Sequence, residues 1–191
     1  MIDSLEDHAI MLKVKSGDVE KLSLLYHRYS RRLFGFFFGL TSDAATSEDL
    51  VQNVFVRMLK YRKSYSESGN FEAWAFHMAR NVHKDHFRKN KRYHWQEDMA
   101  DWESHLKETD NREHHMQKSD ELNNLERALQ ALSPAKRELI ELTRFQKLKY
   151  DQVAALLGIS ESALKVRVHR TLKELRELYS KVDGKLTDRI N

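Results

Sequence analysis

Residues 150–167 read YDQVAALLGISESALKVR, and this stretch decides the fold of the second half of the chain. A short apolar segment ends at Gly158, where the chain needs a positive φ, and Ser160 can cap the helix that follows. Ala154 is small where two helices would cross, and Ile159 can fill the corner between them. The pattern therefore predicts a helix-turn-helix.

The second helix of this motif separates its side chains into two faces. Apolar residues at helical spacing predict the buried face, formed by Leu164, Val168, Leu172 and Leu175. The outward face is polar and basic, and consists of Lys165, Arg167, His169, Arg170 and Lys173. A recognition helix inserts its N-terminal half into a major groove, where long donors contact base edges and cations neutralise phosphates. We therefore expect this helix to bind duplex DNA; the alternative is an ordinary helical hairpin with a solvated basic face.

Two further helices are predicted before the motif. Residues 122–132 form the first, and Pro134 fits the first turn of the second, which covers residues 135–145 and directs Leu139, Ile140 and Leu142 inward. In residues 96–121 apolar periodicity is lost and acidic side chains outnumber basic ones. This segment is predicted to be an acidic, flexible linker between two helical domains.

The first half of the chain shows the same helical periodicity. A first helix over residues 7–14 ends at a break around Gly17, and a long helix follows with an apolar face that includes Leu25, Tyr29, Leu33 and Phe37. Ser47 is predicted to cap the next helix, and residues 61–70 form a serine-rich loop.

A helix rich in aromatic and basic residues begins at Phe71. Its predicted core face is Phe71, Trp74, Ala75, Met78 and Val82. The predicted outward face combines aromatic rings with cations and consists of Phe76, Arg80, Lys84, Phe87 and Lys91, with Asn81 and Arg88 on its flank.

Composition limits the class of protein. The chain has 191 residues, 40% of them hydrophobic, and only one proline and six glycines, which favours an all-α fold in one large or two small domains. It contains no cysteine, so disulfides, thiol nucleophiles and cysteine zinc sites are excluded. Its longest apolar run, residues 33–40, is shorter than the ~18 residues of a membrane span, and no leader-like segment opens the chain. We expect a cytoplasmic protein without direct membrane insertion.

Histidines give the best argument for a metalloprotein or an enzyme. His77 and His83 share the helix that begins at Phe71 but lie about 240° apart around its axis, so they cannot bind one ion. Only His83 and His86 are neighbours, and Asp85 points away from them, so we expect no metal site and no cofactor.

The chain resembles a bacterial RNA polymerase sigma factor of the extracytoplasmic-function (ECF) group in the sigma-70 family. The resemblance rests on the order of four stretches: residues 16–29, residues 47–55, residues 71–88 and the helix-turn-helix. It implies a first domain over residues 1–95, a linker over 96–121, a second domain over 122–182 and a tail over 183–191.

The resemblance also implies partners and contact residues. The partner would be core RNA polymerase, through the clamp and the flap of its large subunits. The first domain would bind the clamp. The clamp-contacting positions match Asp49, Gln52, Asn53, Phe55 and Leu59, and plain core packing is the alternative for Phe55. Family members are often held inactive by an anti-sigma protein, which is a candidate third partner.

Promoter DNA would be bound in two places. Asn81 matches the position that reads a base in the melted non-template strand of the −10 element, and the candidate phosphate contacts are Arg80, Lys84, Arg88, Lys91 and Arg92. The duplex −35 element would bind Lys165, Val166, Arg167, His169 and Arg170. Two positions depart from the family pattern: Val166 replaces a small polar residue, so a thymine-methyl contact could replace a hydrogen bond, and Lys147-Leu148 replaces the glycine usual before the motif.

The resemblance implies that the polymerase performs the chemistry, and no catalytic residue is expected. Two alternatives come from other classes. A helix-turn-helix regulator that binds an operator would explain the second half but not the basic helix of the first. A helical scaffold or toxin-antitoxin partner would bind DNA without a steep dependence on salt.

Overall fold

The computed structural model describes the backbone of residues 6–97 and 120–187 and the side chains of residues 6–89 and 121–183. Every regular element in these ranges is helical. The first half forms α1 (Asp7–Ser16), α2 (Leu22–Thr41), α3 (Ala44–Lys60) and α4 (Phe71–Glu97). The second half forms α5 (Asp120–Gln130), α6 (Pro134–Ile140), α7 (Tyr150–Leu157) and α8 (Glu161–Thr187). No helix in the described part of the chain is both long and apolar enough to cross a membrane.

The helix-turn-helix is confirmed in its details. Gly158 ends α7 with φ 67°, and the Ile159 amide donates to the Ala154 carbonyl at 3.0 Å. The Ser160 hydroxyl accepts from the Ala163 amide at 3.2 Å at the start of α8. The predicted inward residues Leu164 and Val168 are buried.

The turn before the motif contains a lysine in a conformation that favours glycine. Lys147 adopts φ 56°, in the left-handed region that disfavours side chains with a Cβ. The next residue, Leu148, is buried, and its amide donates to the Leu142 carbonyl at 3.1 Å. The turn therefore keeps this backbone conformation with lysine in it, because Leu148 anchors it to the core.

In the first half, α2 packs against α3, and α3 packs against α4. The predicted apolar face of α2 is confirmed, since Leu25, Tyr29, Leu33 and Phe37 are all buried. The predicted core face of α4 is also confirmed, with Trp74 partly buried at its edge.

Two local predictions are wrong. Asp43, not Ser47, caps α3: its carboxylate accepts from the Thr46 amide at 2.8 Å, while Ser47 is buried and donates its hydroxyl to the Asp43 carbonyl. Phe76 does not lie on the outward face of α4, since it is fully buried against Phe36 with ring centroids 5.7 Å apart. Residue 76 faces α2, and helical periodicity alone did not show that α4 packs on two sides.

Most of the predicted linker lies outside the described residues. Its first two residues continue α4 to Glu97, and its last two begin α5 at Asp120. The predicted tail begins inside α8, which extends to Thr187. The domain boundaries as such stay predictions.

The two halves contact each other. Between α6 and α7 the chain forms a π-helical turn, Glu141–Phe145, that packs against α2, and α7 contacts α4. One cluster of buried apolar residues accordingly includes side chains of both halves, among them Leu139, Leu142 and Val153 of the second.

Candidate protein-binding and nucleic-acid-binding surfaces

The outward side of α3 presents a continuous polar and apolar stripe. Asp49, Gln52, Asn53 and Leu59 are exposed, as a protein-contacting surface requires. Val56 lies in the middle of the same stripe, two helical turns after Asp49, and is 65% exposed. Protein interfaces combine an apolar core with a polar rim, and Val56 is the most exposed large apolar side chain of this stripe.

Phe55 lies on the inner side of α3. It is 7% exposed and its ring packs against Tyr26, with centroids 4.9 Å apart. The core-packing alternative therefore describes Phe55 in this structure, and Val56 is the apolar residue available to a partner. The sequence analysis missed Val56, although its spacing of seven residues from Asp49 already placed it on the stripe.

A chain of hydrogen bonds connects the α3 stripe to α4. Arg57 donates from Nε to Asn53 Oδ1 at 3.1 Å and from Nη1 to Asp85 Oδ2 at 2.7 Å. Asp85 also accepts from Arg88 at 3.1 Å. The hydrogen bond from Arg57 is the main cause that lowers the pKa of Asp85, so this carboxylate stays charged and orients both arginines.

The buried Tyr65 side chain anchors the loop before α4 to the core of the first half. The Tyr65 ring is buried, and its hydroxyl donates to the Gly69 carbonyl at 3.1 Å and lies 2.8 Å from His8 Nδ1. Burial raises the pKa of Tyr65 to about 12, so the hydroxyl remains protonated as a donor. Residues 66–68 and Asn70 of this loop are exposed; they make contacts within their own turn, and Glu67 also pairs with Lys15 at 3.5 Å.

A cleft of about 750 Å³ opens between this loop and the start of α1. One wall is formed by Ser68, Gly69 and Asn70, and the other includes His8, Arg28 and Tyr29. Asp7 is held inside the opposite wall by Arg28 and by the Tyr29 hydroxyl, both at 2.6 Å. The cleft therefore offers polar hydrogen-bonding groups and aromatic rings beside an exposed loop, and its charged lining consists of Glu6, Asp7 and Glu72 with Arg28.

The outward side of α4 brings together some of the predicted DNA-binding residues. Lys84 and Arg88 are exposed, and Asn81 is partly exposed with its amide nitrogen 3.4 Å from His77 Nδ1. Arg80 differs from them: its side chain is 17% exposed and pairs with Glu138 of the second half at 2.9 Å. The side chains of Lys91 and Arg92 lie outside the described residues.

The outward side of α8 brings together all five predicted duplex contacts. Lys165, Val166, Arg167, His169 and Arg170 are exposed on the first three turns of the helix. Lys165 pairs with Glu161 at 2.8 Å, which raises the pKa of the lysine. Val166 is 49% exposed, so an apolar contact is available at the centre of this basic surface.

Histidines do not assemble into a metal site in the described part of the chain, where no group of three or more His, Asp or Glu side chains is close enough to bind an ion. His83 lies partly buried near Glu138, and burial lowers the pKa of its ring. Its Nε2 atom is buried without a hydrogen-bond partner.

Comparison with known proteins finds two family matches and close relatives over nearly the whole chain. The Sigma-70 region 2 family matches residues 25–93, and the Sigma-70, region 4 family matches residues 122–175. The chain is 31% identical over 188 residues to the ECF RNA polymerase sigma factor SigF of Caulobacter vibrioides, covering 92% of this chain and 95% of that protein. It is 28% identical over 179 residues to the RNA polymerase sigma factor CarQ of Myxococcus xanthus, covering 91% of this chain and 97% of that protein.

A similar solved structure is that of the sigma factor RpoE of Bartonella quintana in complex with the anti-sigma factor NepR. It superimposes with a TM-score of 0.67 at 27% identity and covers 83% of this chain and 96% of that chain.

Proposed function

The chain belongs to the ECF group of the sigma-70 family of RNA polymerase sigma factors. From this membership we propose that three separate surfaces bind core polymerase, the melted strand and the duplex promoter. A sigma factor associates with polymerase and recognises promoters. The alternative of an operator-binding regulator is not favoured, because the region 2 match adds a second functional domain to the helix-turn-helix.

The first proposed surface is the α3 stripe, which binds the clamp of core polymerase. It is supported by the exposure of Asp49, Gln52, Asn53 and Leu59 around Val56. In this arrangement Val56 supplies the apolar contact and the polar residues around it supply hydrogen bonds. Phe55 supports the stripe from the core side.

The second proposed surface captures the melted non-template strand. Single-strand binding requires a recess for an unstacked base, polar groups for its edge and cations for the backbone. The cleft beside loop 66–70 supports a recess that has polar groups of its own. Asn81 lies nine residues further along α4 than Glu72, roughly 14 Å away, so it supports contact with a different base. Lys84 and Arg88 support the backbone contact. Arg57 connects Asn53 to Asp85 and thus to Arg88, so one of the strand-binding cations is linked to the polymerase-binding stripe by hydrogen bonds.

The third proposed surface is the outward side of α8, which binds the duplex −35 element in the major groove. The single observation that most supports the whole proposal is the presence of this capped recognition helix and the α3–α4 surfaces on one chain. We propose that the protein has no catalytic activity of its own, acts where polymerase and DNA meet in the cytoplasm, and, like the similar sigma factor solved with an anti-sigma factor, has a protein inhibitor.

We expect Asn81→Ala to slow open-complex formation on duplex promoters by about tenfold or more, because one lost base contact corresponds to roughly 1–3 kcal/mol. On a promoter already melted at the −10 element the loss should be much smaller. The measurement is the rate of open-complex formation by holoenzyme on matched duplex and pre-melted templates. His77→Ala is the control, since it removes the exposed side chain that lies 3.4 Å from the Asn81 amide and keeps the amide group itself. Equal losses on both templates would contradict a role in melting.

A further inference from the structure

Helix α1 holds the loop before α4 at two places. Near its start, His8 Nδ1 lies 2.8 Å from the Tyr65 hydroxyl. About two turns later, Lys15 Nζ donates to the Tyr65 carbonyl at 2.8 Å and pairs with Glu67 at 3.5 Å. The family match begins at residue 25, after α1, so these contacts come from a part of the chain that the match does not include.

The two contacts of Lys15 differ in strength. The Glu67 side chain is 82% exposed, and an ion pair in solvent contributes little. The bond to the Tyr65 carbonyl is partly buried, and a hydrogen bond from a charged donor contributes more than a neutral one. Lys15 therefore acts on the loop chiefly through the backbone of Tyr65.

The contact of His8 has a fixed direction. The Tyr65 hydroxyl carries one proton, and it donates that proton to the Gly69 carbonyl at 3.1 Å, because a carbonyl can only accept. The 2.8 Å contact with His8 then requires a proton on Nδ1 of the histidine. A directed chain of two hydrogen bonds thus runs from α1 through Tyr65 to the backbone of the loop.

The loop itself is one compact turn. The Gly69 amide donates to the Ser66 carbonyl at 3.0 Å, and a Cβ at position 69 would lie 2.9 Å from that carbonyl oxygen. Asn70 Oδ1 accepts from the Ala73 amide at 2.9 Å and ties the turn to the start of α4. A displacement at Gly69 would therefore move the whole side of the loop that lines the cleft.

Helix α1 also contributes to the opposite wall of that cleft. His8 lines this wall, and Asp7 beside it is held by Arg28 and by the Tyr29 hydroxyl, both at 2.6 Å. The same helix thus forms one wall and, through Tyr65, fixes the position of the other. The width available to an unpaired base depends on these contacts.

We propose that α1 is part of the strand-capture site: His8 and Lys15 are positioning residues that fix loop 66–70 through Tyr65 and so set which unpaired base the cleft accepts. The proposal deepens the function proposed above and rests on it for the binding of a melted strand in the cleft. A selective site must hold its polar groups within about 0.5 Å of the productive geometry. A loop released from α1 therefore still faces the strand but distinguishes bases less well.

The test measures base selectivity by holoenzyme on promoters already melted at the −10 element. Each unpaired position carries the four bases in turn, and selectivity is the ratio of affinities for the best and the worst base. The positions assigned to the cleft are those whose preference Asn81→Ala leaves unchanged. His8→Leu keeps the bulk of the side chain but removes the donor, and it should lower this ratio roughly threefold to tenfold, as expected for one hydrogen bond. Lys15→Met should lower it as well.

Conservative variants separate a hydrogen-bonding role from a packing role. His8→Gln keeps a donor for the Tyr65 hydroxyl and should restore most of the selectivity. Tyr65→Phe keeps the buried ring and should lose as much as His8→Leu, and the two changes combined should cause no further loss, because both break the same chain. The matched controls are Lys13→Met, at an exposed position of α1, and His27→Leu, at an exposed position of α2 outside the cleft. Both controls should keep the selectivity of the unsubstituted protein.

Core binding and affinity for the duplex −35 element should be unchanged in every variant, since α1 belongs to neither surface. Retained selectivity in both His8→Leu and Tyr65→Phe would overturn the proposal. Equal losses in His8→Gln and His8→Leu would overturn it too, because the histidine would then act by packing alone. If the unsubstituted holoenzyme shows no base preference that is independent of Asn81, the cleft does not capture a base and the proposed function of this surface itself fails.

Discussion

Replacing Lys165 and Arg170 together by alanine is expected to weaken binding to the duplex −35 element by about 10²- to 10³-fold. Both side chains are exposed on the N-terminal half of α8, which is the part of a recognition helix that enters the major groove. Each contact to a base edge corresponds to roughly 1–3 kcal/mol, and 1.4 kcal/mol is about tenfold in affinity. The measurement is the affinity of holoenzyme for promoter duplexes with an intact or a scrambled −35 element.

A control must distinguish the loss of −35 recognition from a general loss of positive charge. Arg176→Ala is the matched control, because Arg176 is exposed on the same helix beyond the proposed contact region. Arg176→Ala should change the affinity for the promoter duplex little. Both this variant and the double variant should bind core polymerase as the unsubstituted protein does. If the Lys165→Ala, Arg170→Ala protein still distinguishes the intact element from the scrambled one, α8 is not the recognition helix.

Val56→Glu is expected to lower the affinity for core polymerase by about 100-fold. Val56 is the exposed apolar centre of the α3 stripe, and a carboxylate introduced there must lose its hydration when the partner covers it. The fold should be retained, since the side chain is 65% exposed and contributes little to the core. The measurement is equilibrium binding of the labelled protein to core enzyme.

Val19→Glu is the matched control for this change. Val19 is 40% exposed on the 3₁₀ helix Val19–Lys21, outside the stripe, and the substitution is chemically the same. It should leave core binding near the value of the unsubstituted protein. Equal loss in the two variants would indicate a general effect of added negative charge and would contradict the assignment of the α3 stripe.

Features encoded by short-range signals could be predicted from the sequence. Gly158, Ile159 and Ser160 define the helix-turn-helix within three consecutive residues, and each has the conformation or contact that its chemistry favours. The basic side of α8 could be predicted as well, because the turn fixes where α8 begins and therefore which of its residues face inward and which face outward.

Features that depend on which neighbour packs against a helix could not be predicted in the same way. Phe76 is buried because α4 packs against α2 as well as α3, which periodicity within α4 does not encode. Phe55 matches a partner-contacting position of the family, yet its ring is buried because Tyr26 packs against it, which the sequence of α3 does not encode. At the start of α3, both Asp43 and Ser47 are good caps, and the chain begins the helix at the earlier one.

The contact between the two halves is the least predictable feature. Glu138 and Arg80 are separated by 58 positions in the sequence, and the 2.9 Å contact between them arises only after both halves have folded. Gly39 lies inside α2, and the sequence did not indicate that the Glu141 side chain approaches it.

Reconstituted transcription with purified core polymerase tests the central claim most directly. The template is fragmented genomic DNA of the source organism, and the readout is the set of transcript start sites made with and without the protein. We predict transcripts from a defined set of start sites, preceded by a shared pair of elements, that depend on the protein and are lost with Val56→Glu. Specific duplex binding without association with core polymerase, and no protein-dependent transcripts, would contradict the assignment and favour a regulator that binds DNA on its own.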